Sequence, residues 1–111
     1  MNKQRGDVAV TIGGQEYVLR PTYQALAEIE ARTGVGLVAL AGKFMNRDFG
    51  VVEAVAIISA GIAGSGEKPP KDLGDQIIGQ GVLQLAGPIL AFLTNGLTGD
   101  QEGKAEGAPQ A

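Results

Sequence analysis

The sequence predicts an α+β fold that is mostly helical: an N-terminal two-stranded β-hairpin followed by four to five short helices in one small bundle. Apolar and polar residues alternate over positions 8–19, on both sides of a Gly-Gly pair, as they do in a hairpin. From position 23 onward apolar residues recur every three or four positions, as on one face of a helix. The chain has 111 residues, which is the usual size of one domain.

We expect a single domain over residues 7–98, between a flexible N-terminus at 1–6 and a disordered tail at 99–111. Residues 100–111 contain no large apolar side chain, so burial cannot offset the entropy that ordering them would cost. Aromatic residues make up only 5% of the chain. The core must therefore be built from Val, Ile, Leu and Ala.

The first predicted element is the hairpin. Gly13-Gly14 can adopt the positive φ angles of a two-residue turn. With these glycines as the loop, Val8 pairs with Leu19 and Val10 pairs with Tyr17, so their side chains share one side of the ribbon. A two-stranded ribbon is marginally stable alone. The helices are therefore expected to cover its apolar side.

A helix is predicted over residues 23–33, and it has a start signal and a stop signal. Thr22 offers a side-chain oxygen that can cap the first turn. Gly34 can take the left-handed conformation that commonly ends a helix. Leu26 and Ile29 lie about one turn apart, and we assign both to the inner face of this helix.

The next two helices are predicted from their apolar stripes. The stripe of a short helix over 37–45 is formed by Leu37, Leu40, Ala41 and Phe44. After a turn at 46–50, in which Asp48 can act as the cap, a third helix runs to about Ile62. The stripe of the third helix is formed by Val51, Val55, Ile58 and Ile62.

Two further helical segments complete the domain. Residues 71–80 are predicted to form a short helix in which Leu73 and Ile77 lie one turn apart. The last helix covers residues 82–97, where Pro88 must kink or divide it, because proline lacks the N–H group and clashes with the preceding turn. A fresh helix start at the Gly-Pro pair fits the pattern equally well.

Composition argues against catalysis, nucleic acid and membranes. The chain has no His and no Cys, which removes the most frequent general acid–base group and the usual zinc ligands. We therefore expect no catalytic residues, no cofactor and no metal site. The net charge of −3 lacks the basic footprint of a nucleic-acid-binding protein. No apolar stretch reaches ~18 residues, so we expect no membrane contact and a cytoplasmic location.

Three short motifs resemble catalytic or nucleotide-binding signatures, and we interpret all three as structural. Residues 34–39 fit the loose dinucleotide pattern, but they connect two helices and do not follow a strand. Residues 61–66 have the glycine spacing of a phosphate-binding loop, but Glu-Lys follows where Lys-Ser/Thr is required. Glu28 and Glu30 point in different directions on a helix, and Glu28 has Arg32 four residues away as a partner.

The apolar face of the last helix is wide for a surface helix. The helix carries Val82, Leu83, Leu85, Ile89, Leu90, Phe92, Leu93 and Leu97. One interpretation is that it is the central helix of the bundle. The other is that part of the face is a partner-binding groove, with Phe92 as its anchor and Ile89, Leu85 and Ile57 beside it. The hairpin edge over 8–12 is the next candidate surface, by strand addition.

Residues 6–8, 14–22 and 25–34 resemble the opening of the gene transfer agent family of phage tail assembly chaperones. In that family a hairpin and an Arg-Pro-Thr junction, here Arg20 to Thr22, precede a helix that ends in Ile-Glu-x-x-Thr-Gly, here Ile29 to Gly34. Further helices with an Ala-Gly-rich segment follow in the family. The resemblance extends to about residue 97 of this chain.

The resemblance implies a non-enzymatic protein from the tail cluster of a phage, a prophage or a gene transfer agent. It implies binding of a tape-measure-like protein during tail assembly in the bacterial cytoplasm, with other tail proteins and further copies as additional partners. The alternative is a structural component of the tail tube, because related sequences are sometimes labelled so. Tube rings are, as a family, β-sandwiches with a long hairpin, whereas this chain offers one short ribbon and about five helical segments.

Overall fold

The computed structural model describes residues 5–99, so the expectations for residues 1–4 and 100–111 lie outside the described part of the chain. The elements are β1 (Val8–Ile12), β2 (Gln15–Leu19), α1 (Tyr23–Thr33), α2 (Leu37–Met45), α3 (Val51–Gly64), α4 (Leu73–Gln80), a 3₁₀ segment (Val82–Leu85) and α5 (Ala86–Thr98). This order confirms the predicted α+β fold, in which one hairpin precedes a set of short helices.

The hairpin has the predicted register. Val8 lies opposite Leu19, and Val10 lies opposite Tyr17. Gly13-Gly14 turns the chain with φ angles of 62° and 83°, which residues with a side chain rarely adopt. Three of these four paired side chains are buried and the fourth is half-buried. The apolar side of the ribbon therefore packs on the helices, as expected.

α1 begins and ends at the predicted residues, and α2 also has its predicted bounds. The Thr22 hydroxyl oxygen accepts a hydrogen bond from the Ala25 N–H at 3.1 Å. Gly34 ends α1 in the left-handed region, at φ 72°. Ile29 is fully buried, whereas Leu26 is only half-buried at the edge of the core. The cap and stop signals thus defined the helix more accurately than the assignment of its inner face.

The predicted cap of the third helix is wrong, because α3 starts after Gly50 and not after Asp48. The Glu53 carboxylate accepts a hydrogen bond from the Gly50 N–H at 3.0 Å, at the end of the helix that favours negative charge. Asp48 still belongs to the turn that leaves α2, and its N–H donates to the Lys43 carbonyl at 2.7 Å. Arg47, with a left-handed φ of 57°, makes that turn.

The last helical segment is divided, which is one of the alternatives that the sequence left open. The 3₁₀ segment ends at Leu85 and α5 begins at Ala86. Pro88 lies in the first turn of α5, where a missing N–H breaks no helical hydrogen bond. α4 and the segment 82–98 meet at a bend of 101°. Within residues 5–99, no single helix is long and apolar enough to cross a membrane, and this bent pair passes that test only jointly.

The end of β2 passes very close to the last turn of α3. The Arg20 N–H donates a hydrogen bond to the Gly61 carbonyl at 3.0 Å, so the two backbones are in direct contact. A Cβ atom on Gly61 would lie 2.9 Å from the Leu19 Cβ, and a Cβ atom on Gly64 would collide with the Arg20 carbonyl oxygen. Glycine at these two positions therefore permits the short distance between the strand and the helix.

A buried ion pair holds Arg20 from the other side. Its guanidinium donates from Nε and Nη2 to the two carboxylate oxygens of Asp7, both at 2.8 Å. The Asp7 side chain is fully buried, whereas that of Arg20 is partly exposed. The hydrogen bond to Asp7 raises the pKa of Arg20, although desolvation opposes the shift. The bidentate geometry fixes the start of the domain against the end of β2.

We predict that Gly64→Ala lowers the free energy of unfolding by about 1–3 kcal/mol, because the new methyl group must displace the Arg20 backbone carbonyl. Gly42→Ala in α2 is the matched control. No atom lies within 4 Å of a Cβ at that position, so the better helix propensity of Ala should stabilise the protein by up to ~1 kcal/mol. Urea unfolding measures both changes. Equal effects of the two substitutions would show that β2 and α3 do not touch as described.

Candidate protein-binding groove

The four residues predicted to bind a partner lie in the core. Phe92, Ile89 and Ile57 are 0% exposed, and Leu85 is 2% exposed. α5 packs against α2, β1 and α3, so its wide apolar face is covered on several sides, as expected for the central helix of a bundle. Within residues 5–99 these four side chains line no accessible groove, so they can contact a partner only if the core opens.

An open groove lies elsewhere, between α1 and α3, which run in opposite directions. One part of it, of about 770 Å³, is lined by Tyr23, Arg32, Ser59 and Ala63 among others. A second part, of about 490 Å³, is also lined by Arg32 and continues to Val52. Because the two parts share Arg32, we describe them as one feature, the α1–α3 groove. It follows the 14 residues of α3, a length of about 21 Å.

The α1–α3 groove has a floor of small side chains and an exposed apolar side chain at each end. Ala25 and Ala60 lie in the floor and are buried. Tyr23 is 85% exposed at one end and Val52 is 76% exposed at the other. Small residues let a partner backbone come close, and the exposed apolar side chains at the two ends can contact the apolar face of an amphipathic helix. The shape therefore suits a helical partner.

The end of the groove near Val52 is held firmly. Phe49 is half-buried there, and its ring stacks on that of Phe44 with the centroids 4.1 Å apart. Lys43 and Glu53, from α2 and α3, form an ion pair at 3.6 Å beside it. The turn between these two helices is therefore fixed before any partner arrives, and less ordering entropy is lost on binding.

Polar side chains line the middle of the groove. Glu28 and Arg32 lie one helical turn apart at 3.9 Å, and both side chains are about half exposed. Such a pair contributes little to stability, so its charges are available for contacts with a partner. Within residues 5–99, no group of three or more His, Cys, Asp or Glu side chains is arranged to hold a metal ion. Protein interfaces typically combine an apolar centre with polar and charged side chains around it.

The signature-like motifs occupy structural positions. Residues 34–36 connect α1 to α2, and residues 37–39 form the first turn of α2. The Glu30 carboxylate accepts a hydrogen bond from the Leu37 N–H at 3.0 Å and so caps the start of α2. Residues 61–66 form the end of α3 and the turn after it, against the end of β2. Glu28 and Glu30 thus take part in separate contacts and do not form a carboxylate pair.

The sequence contains a signal for the α1–α3 groove. Val52, Ser59 and Ala63 follow one another at seven- and four-residue spacings, which places them on one side of α3. Small residues on a side of an otherwise apolar helix indicate a shallow surface. Periodicity instead placed Val51 in the buried stripe of this helix. That assignment is wrong, since Val51 is 37% exposed, whereas Ile57, predicted beside Phe92, is fully buried.

Comparison with known proteins identifies one family. The sequence model of the family described as "Phage tail tube protein, GTA-gp10" matches residues 5–99, which is most of the chain. No curated protein and no solved structure matches significantly. The matched range includes both helices of the α1–α3 groove and the whole hairpin.

We predict that Phe92→Ala costs about 3–5 kcal/mol of unfolding free energy, because Phe92 is fully buried in the core. Val38→Ala on the outer side of α2 should change it by less than ~0.5 kcal/mol, because Val38 is exposed. Denaturant unfolding of both variants measures the difference. Phe92→Ala with wild-type stability would mean that Phe92 does not pack in the core and that α5 is not the central helix.

Proposed function

The chain belongs to the family described as Phage tail tube protein, GTA-gp10, and from that premise we propose that it is a tail assembly chaperone. In this proposal it binds a helix of the tape-measure protein in the α1–α3 groove while the tail is being built. It acts in the bacterial cytoplasm, by contact alone and without catalysis. The protein is a component of a phage or gene transfer agent tail system.

The observation that carries this proposal is the shape of the α1–α3 groove. A client helix needs an elongated groove, a floor that lets its backbone approach, and exposed apolar side chains to contact its apolar face. The groove has these properties in Ala25 and Ala60 below and in Tyr23 and Val52 at the ends. The lining of the α1–α3 groove is small in area and partly polar, which supports weak binding by each copy. A long client engaged by many copies then gains avidity.

The second candidate function is a structural subunit of the tail tube, and the printed description of the family favours it. The fold argues against a role as a tube subunit. The hairpin consists of two five-residue strands, which provide little of the continuous β-sheet that a tube formed from strands requires. The two functions differ in one observable respect. A chaperone leaves before the particle is complete, whereas a tube subunit remains in it.

We expect mass spectrometry of purified particles to find the tape-measure and tube proteins but not this chain. Cell lysates from the assembly period should contain the chain in complex with the tape-measure protein. Detection of this chain in finished particles, in copy numbers comparable to those of the tube protein, would contradict the chaperone role and support the structural one.

We also predict that Val52→Asp and Ala63→Arg each weaken binding of the tape-measure protein by about tenfold or more, since both residues line the α1–α3 groove. Met45→Asp and Leu83→Asp are the matched controls, because both side chains are exposed and neither lines the groove. Co-expression and pull-down measure binding, after circular dichroism shows each variant to be folded. Wild-type binding by both folded groove variants would exclude this groove as the client site.

A further inference from the structure

The hairpin presents two strand edges, and its register shows which backbone groups point outward. In a hairpin with a two-residue turn, directly opposite residues alternate between pairs that exchange hydrogen bonds and pairs that do not, starting with a bonded pair next to the turn. Val10 and Tyr17 therefore form a bonded pair, whereas Ala9 and Val18 form a non-bonded pair. The backbone N–H and C=O groups of Ala9 and Val18, and those of Glu16, point away from the partner strand.

The β1 edge is partly closed by α4. The Gln80 side-chain amide donates from Nε2 to the Thr11 carbonyl at 2.8 Å and accepts from the Gly13 N–H at 3.0 Å. One amide group thus takes the place of a peptide unit in an added strand. Strand addition along residues 8–12, which the sequence suggested, would have to displace Gln80.

The β2 edge is occupied at one outward position and open at the two before it. Outward groups recur at every second residue, and at Arg20 the N–H donates to the Gly61 carbonyl of α3 at 3.0 Å. No hydrogen bond between described residues uses the outward backbone groups of Glu16 and Val18. A cleft of about 320 Å³ runs beside them and is lined by residues of β2 and of the turn after α3. The cleft therefore gives an extended segment access to unused backbone donors and acceptors.

The charge of the cleft selects the chemistry of that segment. Glu16 and Glu67 line it, and neither forms an ion pair with another described residue. Arg20, the one cation among the described residues of the lining, is bound to Asp7. Pairing of β2 with β2 of a second copy would bring four carboxylates together, which is unfavourable. The cleft therefore favours a segment with Lys or Arg side chains from another protein.

The two carboxylates lie on opposite sides of the β2 edge. Glu16 alternates with the buried Tyr17 and Leu19, so its side chain belongs to the exposed face of the hairpin. Glu67 follows α3, whose Gly61 packs against Leu19 on the buried face. Successive side chains of an added strand also point to opposite faces. Two adjacent basic residues of the segment can therefore contact one carboxylate each.

We infer that the β2 edge binds an extended segment of another protein that carries two adjacent Lys or Arg residues. The segment adds as a third strand beside Glu16 and Val18, and its basic side chains contact Glu16 and Glu67. The cleft and the α1–α3 groove share no lining residue, so this site is separate from the proposed client site and does not depend on the proposed function. Loss of client binding in the groove variants would leave this inference standing.

A set of capped octapeptides tests the chemistry of the segment. The probe has two adjacent Lys residues at the centre of a sequence of Thr and Val, which favour strands. One control peptide has Glu in place of both Lys residues. The other keeps both Lys residues but carries N-methyl groups on their backbone nitrogens. In NMR titrations at low salt, the probe should bind at least about tenfold more tightly than either control, because the first lacks the positive charge and the second lacks the backbone donors.

Two proline variants compare the edges of the hairpin. Val18→Pro removes one outward N–H of β2 without breaking a hydrogen bond of the hairpin, which proline on an edge strand permits. Ala9→Pro is the matched control, because Ala9 lies opposite Val18 and its N–H points outward at the other edge. After circular dichroism shows both variants to be folded, Val18→Pro should weaken binding of the probe by about fivefold or more. Ala9→Pro should bind it like the wild type.

Charge reversal tests the recognition of the basic pair. Glu16→Lys with Glu67→Lys should abolish binding of the Lys probe and create binding of the Glu peptide. Asp72→Lys with Asp75→Lys is the matched control, because it changes the net charge equally and both exposed residues lie at the start of α4, outside the cleft. This control should keep the preference of the wild type for the Lys probe.

Several outcomes would overturn the inference. Equal binding of the probe and its N-methylated form would show attraction by charge without strand pairing. Absence of probe binding at millimolar concentration, equal losses in the two folded proline variants, or an unchanged preference after charge reversal in the cleft would contradict it as well. Self-association of the wild-type chain that Val18→Pro removes would assign the edge to a second copy instead.

Discussion

The close crossing of β2 over α3 is the constraint on which the rest of the structure depends. Gly61 and Gly64 leave room for the backbone around Arg20, and Asp7 binds the guanidinium of that residue. From this point Pro21 turns the chain into α1, which then lies along α3. A larger side chain on either glycine would push the hairpin away and change the angle at which α1 leaves it. The α1–α3 groove exists because this crossing sets the two helices side by side.

The sequence predicted the elements well where a local rule decides the conformation. A Gly-Gly turn, a threonine cap and a stop glycine each act within a few residues, and the hairpin and α1 lie where these signals put them. The predictions were less reliable where two local signals competed to set the same boundary. Asp48 was a good candidate cap, but Glu53 could satisfy the backbone from inside the helix. Pro88 allowed a kink, a division or a new start, and only tertiary packing decides among them.

The candidate site could not be predicted in the same way, because exposure depends on which helix lies in the centre. A wide apolar face has the same appearance in sequence whether it is covered on several sides or open to a partner. The face that carries Phe92 is covered, since Phe92 is fully buried. The α1–α3 groove is lined by small and polar residues, which contribute little to a periodic pattern of apolar residues. Its apolar ends, Tyr23 and Val52, belong to different helices, and only the antiparallel packing of α1 and α3 places them in one feature.

The groove and the β2 edge meet at the end of α3, since Gly64 lines one and Ser65 lines the other. Both features therefore depend on the same crossing, because Gly64 lies against the Arg20 carbonyl and Arg20 lines the cleft beside β2. A larger side chain at Gly64 would thus change the groove and the β2 edge together.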